Sequence, residues 1–180
     1  QNVGTAYAVY EAVIKNKPLF ERVVTVTGKA LANPSNLLTR MGTPMSMLIE
    51  AAGGMPENTG KIIGGGPMMG KALVNAEVPI CKGSSGVLLM TEEESVRGEE
   101  QNCIRCAKCV GACPMGLEPY LLANLGEYGD WERAENEDIM TCIECGCCSF
   151  TCPSNRPLLD WVRLAKNTVG GIIRERNMKK

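Results

Sequence analysis

Hydrophobic and polar positions change rhythm several times along the chain. In "QNVGTAYAVYEAVIKNKP" the apolar residues Ala6, Val9, Val13 and Ile14 recur at helical spacing, and Asn16 and Pro18 end the run. "RVVTVTG" replaces that period with a β-branched stretch halted by Gly28, which predicts a strand. "TPMSMLIEAAGG" returns to helical spacing and places Met45, Leu48, Ile49 and Ala52 on one face. Thr43 reads as its N-cap, Pro44 as its first helical residue, and Gly53 and Gly54 as its stop. Further strands are expected at 61–63 ("KII") and 86–91 ("GVLLMT"). A helix with one apolar face among short strands describes a small α+β domain, read as a β-grasp.

The second half follows other rules. "EEESVRGEEQN" (92–102) is charged and aperiodic and reads as a linker. "EPYLLANLGEYGDWERAENEDIM" supports two short helices with breaks near Gly126 and Gly129. After Pro157, the stripe Leu158, Val162, Ala165 and Val169 predicts a C-terminal helix, with Gly170 and Gly171 as a kink or end.

Bulk composition narrows the classes. The 180 residues are 44% hydrophobic and 22% charged with a net charge of −1, so no basic excess argues for nucleic acid. Aromatics at 4% leave little for base stacking. No window approaches the apolar length of a membrane span, and the start reads as an amphipathic helix rather than a secretory signal. The chain opens on Gln1, which suggests a piece of a longer protein, and residues 1–20 are expected to be the terminal helix of a preceding domain.

Cysteine changes the picture. "CIRCAKCVGACP" and "CIECGCCSFTCP" are two copies of C-x2-C-x2-C-x3-C-P, starting at Cys103 and Cys142. Secreted disulfide scaffolds scatter cysteines through short chains, whereas residues 1–80 here contain none; the spacing points to metal in a reducing compartment. A [4Fe–4S] cube needs four thiolates around a compact core. Three at C-x2-C-x2-C wrap one side of it, with backbone N–H groups turned towards its negative charge. The fourth has to come from elsewhere, and in two-cluster ferredoxins each C-x3-C-P cysteine serves the other cluster. Cys103, Cys106, Cys109 and Cys152 are therefore assigned to one cluster, and Cys142, Cys145, Cys148 and Cys113 to the second. Pro114 and Pro153 fix the chain direction after each outlying ligand. Structural zinc sites generally use paired C-x2-C units across a longer loop, which fits these runs poorly.

The absence of histidine excludes Rieske centres, mixed Cys–His zinc fingers and any histidine acid–base role. Cys81 reads as a core thiol and Cys147 as a bystander beside Cys148. "GGPMMGKA" resembles a P-loop but has Ala72 where Ser or Thr would hold Mg2+, and reads as a glycine-rich turn beside a strand. Arg163, Lys166, Arg174, Arg176, Lys179 and Lys180 read as a solvated helix face, with an anionic membrane or acidic partner as the alternative.

"QNVGTAYAVYEAV", "RVVTVTG", "GGGPMMG" and the two cysteine runs, in that order, resemble the C subunits of the Rnf complex, the bacterial ion-translocating ferredoxin:NAD oxidoreductase. The resemblance covers essentially the whole chain. It implies a β-grasp (soluble-ligand-binding) domain over 21–98 and an α-helical two-[4Fe–4S] ferredoxin-like domain with a C-terminal helix over 99–180. It implies FMN and NAD(H) only in the full-length protein, so no flavin or nicotinamide residue is assigned here, and no catalytic one. The implied partners are the other Rnf subunits, including an iron–sulfur subunit, and indirectly ferredoxin and NAD(H). The implied location is peripheral, on the cytoplasmic face of the inner membrane, with membrane association through partner subunits. Two rival readings stand beside it: a non-redox scaffold with two four-cysteine zinc sites, and the electron-transfer subunit of a soluble flavin dehydrogenase.

Overall fold

A computed structural model describes residues 1–179, which fall into two compact units, Gln1–Val96 and Arg97 onward. The first opens with α1 (Val3–Lys15), started by the Asn2 side chain accepting from the Gly4 N–H and ended by Asn16 in the left-handed region. No residue of α1 is buried, and Val3, Val9, Val13 and Ile14 stand exposed.

Strands β1 (Glu21–Thr27), β2 (Ser35–Arg40), β3 (Thr59–Gly64), β4 (Lys71–Leu73) and β5 (Gly86–Thr91) form one sheet in the order β2-β1-β5-β3-β4. The central pair β1 and β5 is parallel, with Val26 opposite Val87, and the remaining pairs are antiparallel. A single helix, α2 (Met45–Ala51), packs its apolar side against one face of the sheet, which is the β-grasp arrangement. Period-two alternation sends Val24, Val26, Val87 and Leu89 to the face where Met45, Leu48, Ile49 and Ala52 wait. Full burial of such side chains stabilises by roughly 1.5–3 kcal/mol each. Val23 and Leu38, on the opposite face, are exposed.

Three local expectations change. Thr43 does not cap α2; the N-cap is Pro44, and the first helical N–H groups, of Met45 and Ser46, donate instead to the Val78 and Ala76 carbonyls at 3.1 and 2.9 Å. A tertiary strand-like segment does what a side chain was expected to do. The presumed linker 92–102 begins with a helical turn, α3 (Glu92–Ser95), closed by a capping box: Thr91 Oγ1 accepts from the Glu94 N–H at 3.3 Å and the Glu94 carboxylate accepts from the Thr91 N–H at 3.1 Å. Cys81 is exposed, its thiol directed at the Pro79 carbonyl, because its neighbour Ile80 takes the buried position. The "GGPMMG" stretch is a turn, with the Gly70 N–H donating to the Gly66 carbonyl at 2.9 Å and β4 following it.

The second unit is helical: α4 (Lys108–Gly111), α5 (Pro119–Tyr128), α6 (Trp131–Asn136), a 3-10 turn (Ile139–Thr141), α7 (Cys147–Phe150) and α8 (Leu158–Met178). Its core joins Leu122, Ala123 and Leu125 of α5 to Leu158, Val162, Ala165 and Val169 of α8, with Ala134 and Ile139 filling the end. Gly126 does not break α5. A Cβ there would sit 2.5 Å from the Trp161 carbonyl oxygen, so this glycine lets α5 and α8 approach closely. The break falls at Gly129, which is left-handed and ends α5. α8 also runs unbroken through Gly170 and Gly171, since its apolar stripe holds both sides of the pair against the unit.

Candidate metal centre

The two cysteine runs fold into the same backbone. Each C-x2-C-x2-C loop puts its third and fifth residues in the left-handed region, Arg105 and Ala107 in the first, Glu144 and Gly146 in the second. A one-turn helix follows in each, α4 and α7, started at Ala107 and Gly146. The Gly111 and Phe150 N–H groups donate to those starting carbonyls at the same 3.1 Å, and Cys113 and Cys152 donate to Val110 and Ser149. After each proline a left-handed residue, Gly116 or Asn155, donates its N–H back to Cys113 or Cys152. The repeat in sequence is thus a repeat in conformation.

The end of each run lies towards the other run. Ser154, buried two residues beyond Cys152, donates its hydroxyl to the carbonyl of Asn102 at 3.0 Å, and the Gln101 N–H donates to the Ser154 carbonyl at 2.9 Å. The end of the second run is thereby tied to the residue preceding Cys103. In the other direction, Cys113 lines one cavity with Cys142, Cys145 and Cys148, walled by Leu117, Leu122, Leu159 and Val162.

Both sites are seated on the helical core, where Cys109 is buried and Cys142, Cys148 and Cys152 pack against the α5–α8 cluster. Cys103 and Cys106 are exposed. Burial pushes the free Cys148 thiol up to about 11, and burial also raises Cys109 and Cys142. Backbone amides oppose this, those of Tyr120 at Cys109 and Ser149 at Cys148, and the Glu144 N–H donates to Cys142 Sγ at 3.4 Å. Such donors, in a pocket unfavourable to a bare thiolate, suit sulfur bound to a metal that supplies positive charge. Among the described residues no three Cys, His, Asp or Glu side chains close on a point sized for one ion. Cys113, Cys142, Cys145 and Cys148, lining one cavity, fit the four-thiolate demand of an iron–sulfur cube. Cys147 lies half-buried against Cys145, whose sulfur hydrogen-bonds it and raises it.

The surroundings of the two loops differ, which sequence reasoning missed. Arg163 and Lys166 do not belong to a solvated face: Arg163 Nε reaches Glu144 Oε2 at 3.1 Å, and Lys166 Nζ donates to the Cys142 carbonyl at 2.5 Å. Their positions flanking Val162 and Ala165, on the edge of the apolar stripe, were the available signal. Arg176 is likewise paired, with Glu135 of α6.

Comparison with known proteins agrees with this geometry. Residues 23–72 match the SLBB domain model and residues 95–153 the 4Fe–4S dicluster domain model. Over 168 residues, 93% of this chain, it is 41% identical to the C subunit of the Na(+)-translocating ferredoxin:NAD(+) oxidoreductase complex of Acetobacterium woodii. It is 46% identical over 137 residues (76% of this chain) to the C subunit of the proton-translocating ferredoxin:NAD(+) oxidoreductase complex of Clostridium ljungdahlii. Over 176 residues (97% of this chain) it is 46% identical to the C subunit of the ion-translocating oxidoreductase complex of Yersinia pestis bv. Antiqua. The chain is a homologue of the Rnf-type C subunits. It spans 38%, 30% and 28% of the lengths of those three proteins. Within this homologue the SLBB match lies on the β-grasp sheet and the dicluster match takes in both cysteine runs. Among the described residues no helix is long and apolar enough to cross a membrane.

Proposed function

We propose that the chain is the electron-carrying part of a membrane-associated ferredoxin:NAD oxidoreductase coupled to ion translocation, and that it holds two [4Fe–4S] clusters. The observation that carries the reading is that Cys113 lines one cavity with Cys142, Cys145 and Cys148, while Ser154, two residues after Cys152, is tied to Asn102, the residue before Cys103. Cys103, Cys106, Cys109 and Cys152 would hold one cluster and Cys142, Cys145, Cys148 and Cys113 the other. When bound, each cluster supplies one-electron redox chemistry. The residues hold the thiolates in place, and Leu117, Leu122, Leu159 and Val162 keep water from the second site. Interlocked ligation keeps the two sites adjacent, as electron transfer between them requires.

The resemblance carries FMN and NAD(H) chemistry to the whole protein, and no residue of this chain is assigned to it. The partners would be other subunits of the complex, among them an iron–sulfur subunit, and the site of action the cytoplasmic face of the bacterial inner membrane. Residues 1–20 would close a preceding domain, with 21–98 the β-grasp domain and 99–180 the cluster domain.

The test is iron, acid-labile sulfide and zinc per chain after anaerobic preparation, with EPR after dithionite reduction. Eight irons and eight sulfides, with spectra of two interacting reduced cubes, are expected of two [4Fe–4S] clusters. Stoichiometric zinc without sulfide in iron-replete protein would replace this reading with that of a zinc scaffold.

A further inference from the structure

We propose that Lys166 and Glu144 are positioning residues that set the reduction potential of the cluster held by Cys142, Cys145, Cys148 and Cys113 separately from that of its neighbour. The inference rests on the cluster reading above. α8 grips the second cysteine loop through a three-charge clamp. Glu144 lies between Arg163, at 3.1 Å, and Lys166, at 3.4 Å, and the three side chains are only 32%, 23% and 22% exposed, in that order. Lys166 also donates to the carbonyl of Cys142 itself. The residue the clamp holds is the left-handed Glu144, whose amide donates to the Cys142 sulfur. One clamp thus fixes both a cation beside the ligand and the N–H aimed at it.

Among the described residues no such clamp holds the equivalent position of the first loop. Arg105 occupies the equivalent left-handed position, is exposed, and makes no ion pair among the described residues. Reduction adds negative charge to a cluster, so a nearby half-buried cation, poorly screened by solvent, favours the reduced form. Hydrogen bonds to the ligand sulfurs act in the same direction, and both belong to the levers that set cluster potentials.

Arg163, Lys166 and Glu144 together carry one net positive charge. Lys166→Gln removes it, whereas Glu144→Gln leaves two cations facing the loop. The two substitutions should therefore move the potential in opposite directions, which a merely structural clamp would not do.

The experiment is an EPR-monitored redox titration of the whole chain with both clusters assembled anaerobically and iron and sulfide counted first. Cys113→Ala, by deleting one cluster's signal, identifies which midpoint belongs to the second site. K166Q is expected to lower that midpoint by about tenfold in the reduction equilibrium constant, about 59 mV for one electron. E144Q is expected to raise it, K166R to stay with the parent chain, and the other midpoint to hold still in all three. Shifts of the same sign in K166Q and E144Q, equal shifts in both clusters, or no shift overturn the proposal. If K166Q does not assemble its second cluster, E144Q decides alone: a rise supports the assignment, and a fall or no change overturns it. Absence of two clusters' worth of iron in the parent chain would instead overturn the cluster reading beneath it.

Discussion

The two cysteine loops share a backbone and a supporting core but differ in exposure and in the charges around them. Both take the same left-handed positions and the same helical turn, so their local conformations are set by the short-range demands of C-x2-C-x2-C. Yet Cys103 and Cys106 are exposed, while Cys142, Cys145 and Cys148 are half-buried and line a cavity walled by apolar side chains of α5 and α8. Where the first loop has Arg105 in solvent, the second has Glu144 held by two cations. A duplicated motif thus gives two chemically unequal sites when α8, which supports both, sends the charged side chains Arg163 and Lys166 to the second loop. Exposure and local charge are the terms that vary between otherwise identical iron–sulfur ligand sets.

The largest effect should come from the outlying cysteines, because the proposed ligation gives each to the opposite loop. Cys152→Ala should abolish the cluster of the exposed loop and Cys113→Ala that of the clamped one. Each should leave about four irons and four sulfides per chain, and the two surviving EPR signals should differ. Identical surviving signals would break the claimed inequality.

Next comes the scaffold that both sites share. Gly126→Ala drives a Cβ to within 2.5 Å of the Trp161 carbonyl and should force α5 away from α8. A destabilisation of about 1–3 kcal/mol is expected by analogy with overpacked cores, read from denaturant unfolding of the apo and cluster-loaded chain. Because Leu122 and Val162 wall the second cavity, that cluster should bleach in air faster than in the parent chain, by a larger factor than the first. Equal acceleration would place α5 and α8 under both sites alike.

Smaller still is a backbone difference. Ala107 stands left-handed at φ 58°, where the second loop uses Gly146 at φ 83°. Ala107→Gly removes a steric cost of about 1–2 kcal/mol but adds unfolded-state freedom, so a net gain below about 1 kcal/mol is expected. The unfolding midpoint checks it, and a decrease would mean that the Ala107 side chain has a packing role in the first loop.

The smallest effect lies outside both loops. Arg176 holds the half-buried Glu135 carboxyl below its ordinary value, chiefly through its hydrogen bond. A carboxyl depressed in the folded state contributes stability above its unfolded pKa and loses it as pH falls through the folded one. Glu135→Gln should therefore slightly flatten the acid side of the stability–pH profile, with no change at neutral pH in the potential of either cluster. A shifted potential would extend the electrostatic control of the second site along α8 beyond Lys166.

Much of this was legible in the residues. β1, β5, α2 and the start of α8 follow directly from period-two and helical spacing, because their apolar positions face one continuous core. β2 was hidden: in "SNLLTR" Leu37 packs against the core while Leu38 points outward, so no alternation stands out. β4 is a three-residue edge strand held by β3, too short to carry a pattern. The start of α2 was misjudged because its free N–H groups are satisfied by distant carbonyls, which no capping rule over neighbouring residues can foresee.

By itself the sequence determined the candidate ligand types, their grouping in threes and the direction of the chain after each outlying cysteine, since these depend on contacts within a dozen residues. The packed structure decided which loop α8 clamps with charge, why Gly126 must lack a side chain, and where Glu144, Arg163 and Lys166 meet. Those are contacts between residues far apart in the chain, and their geometry exists only once the helices have closed on a common core.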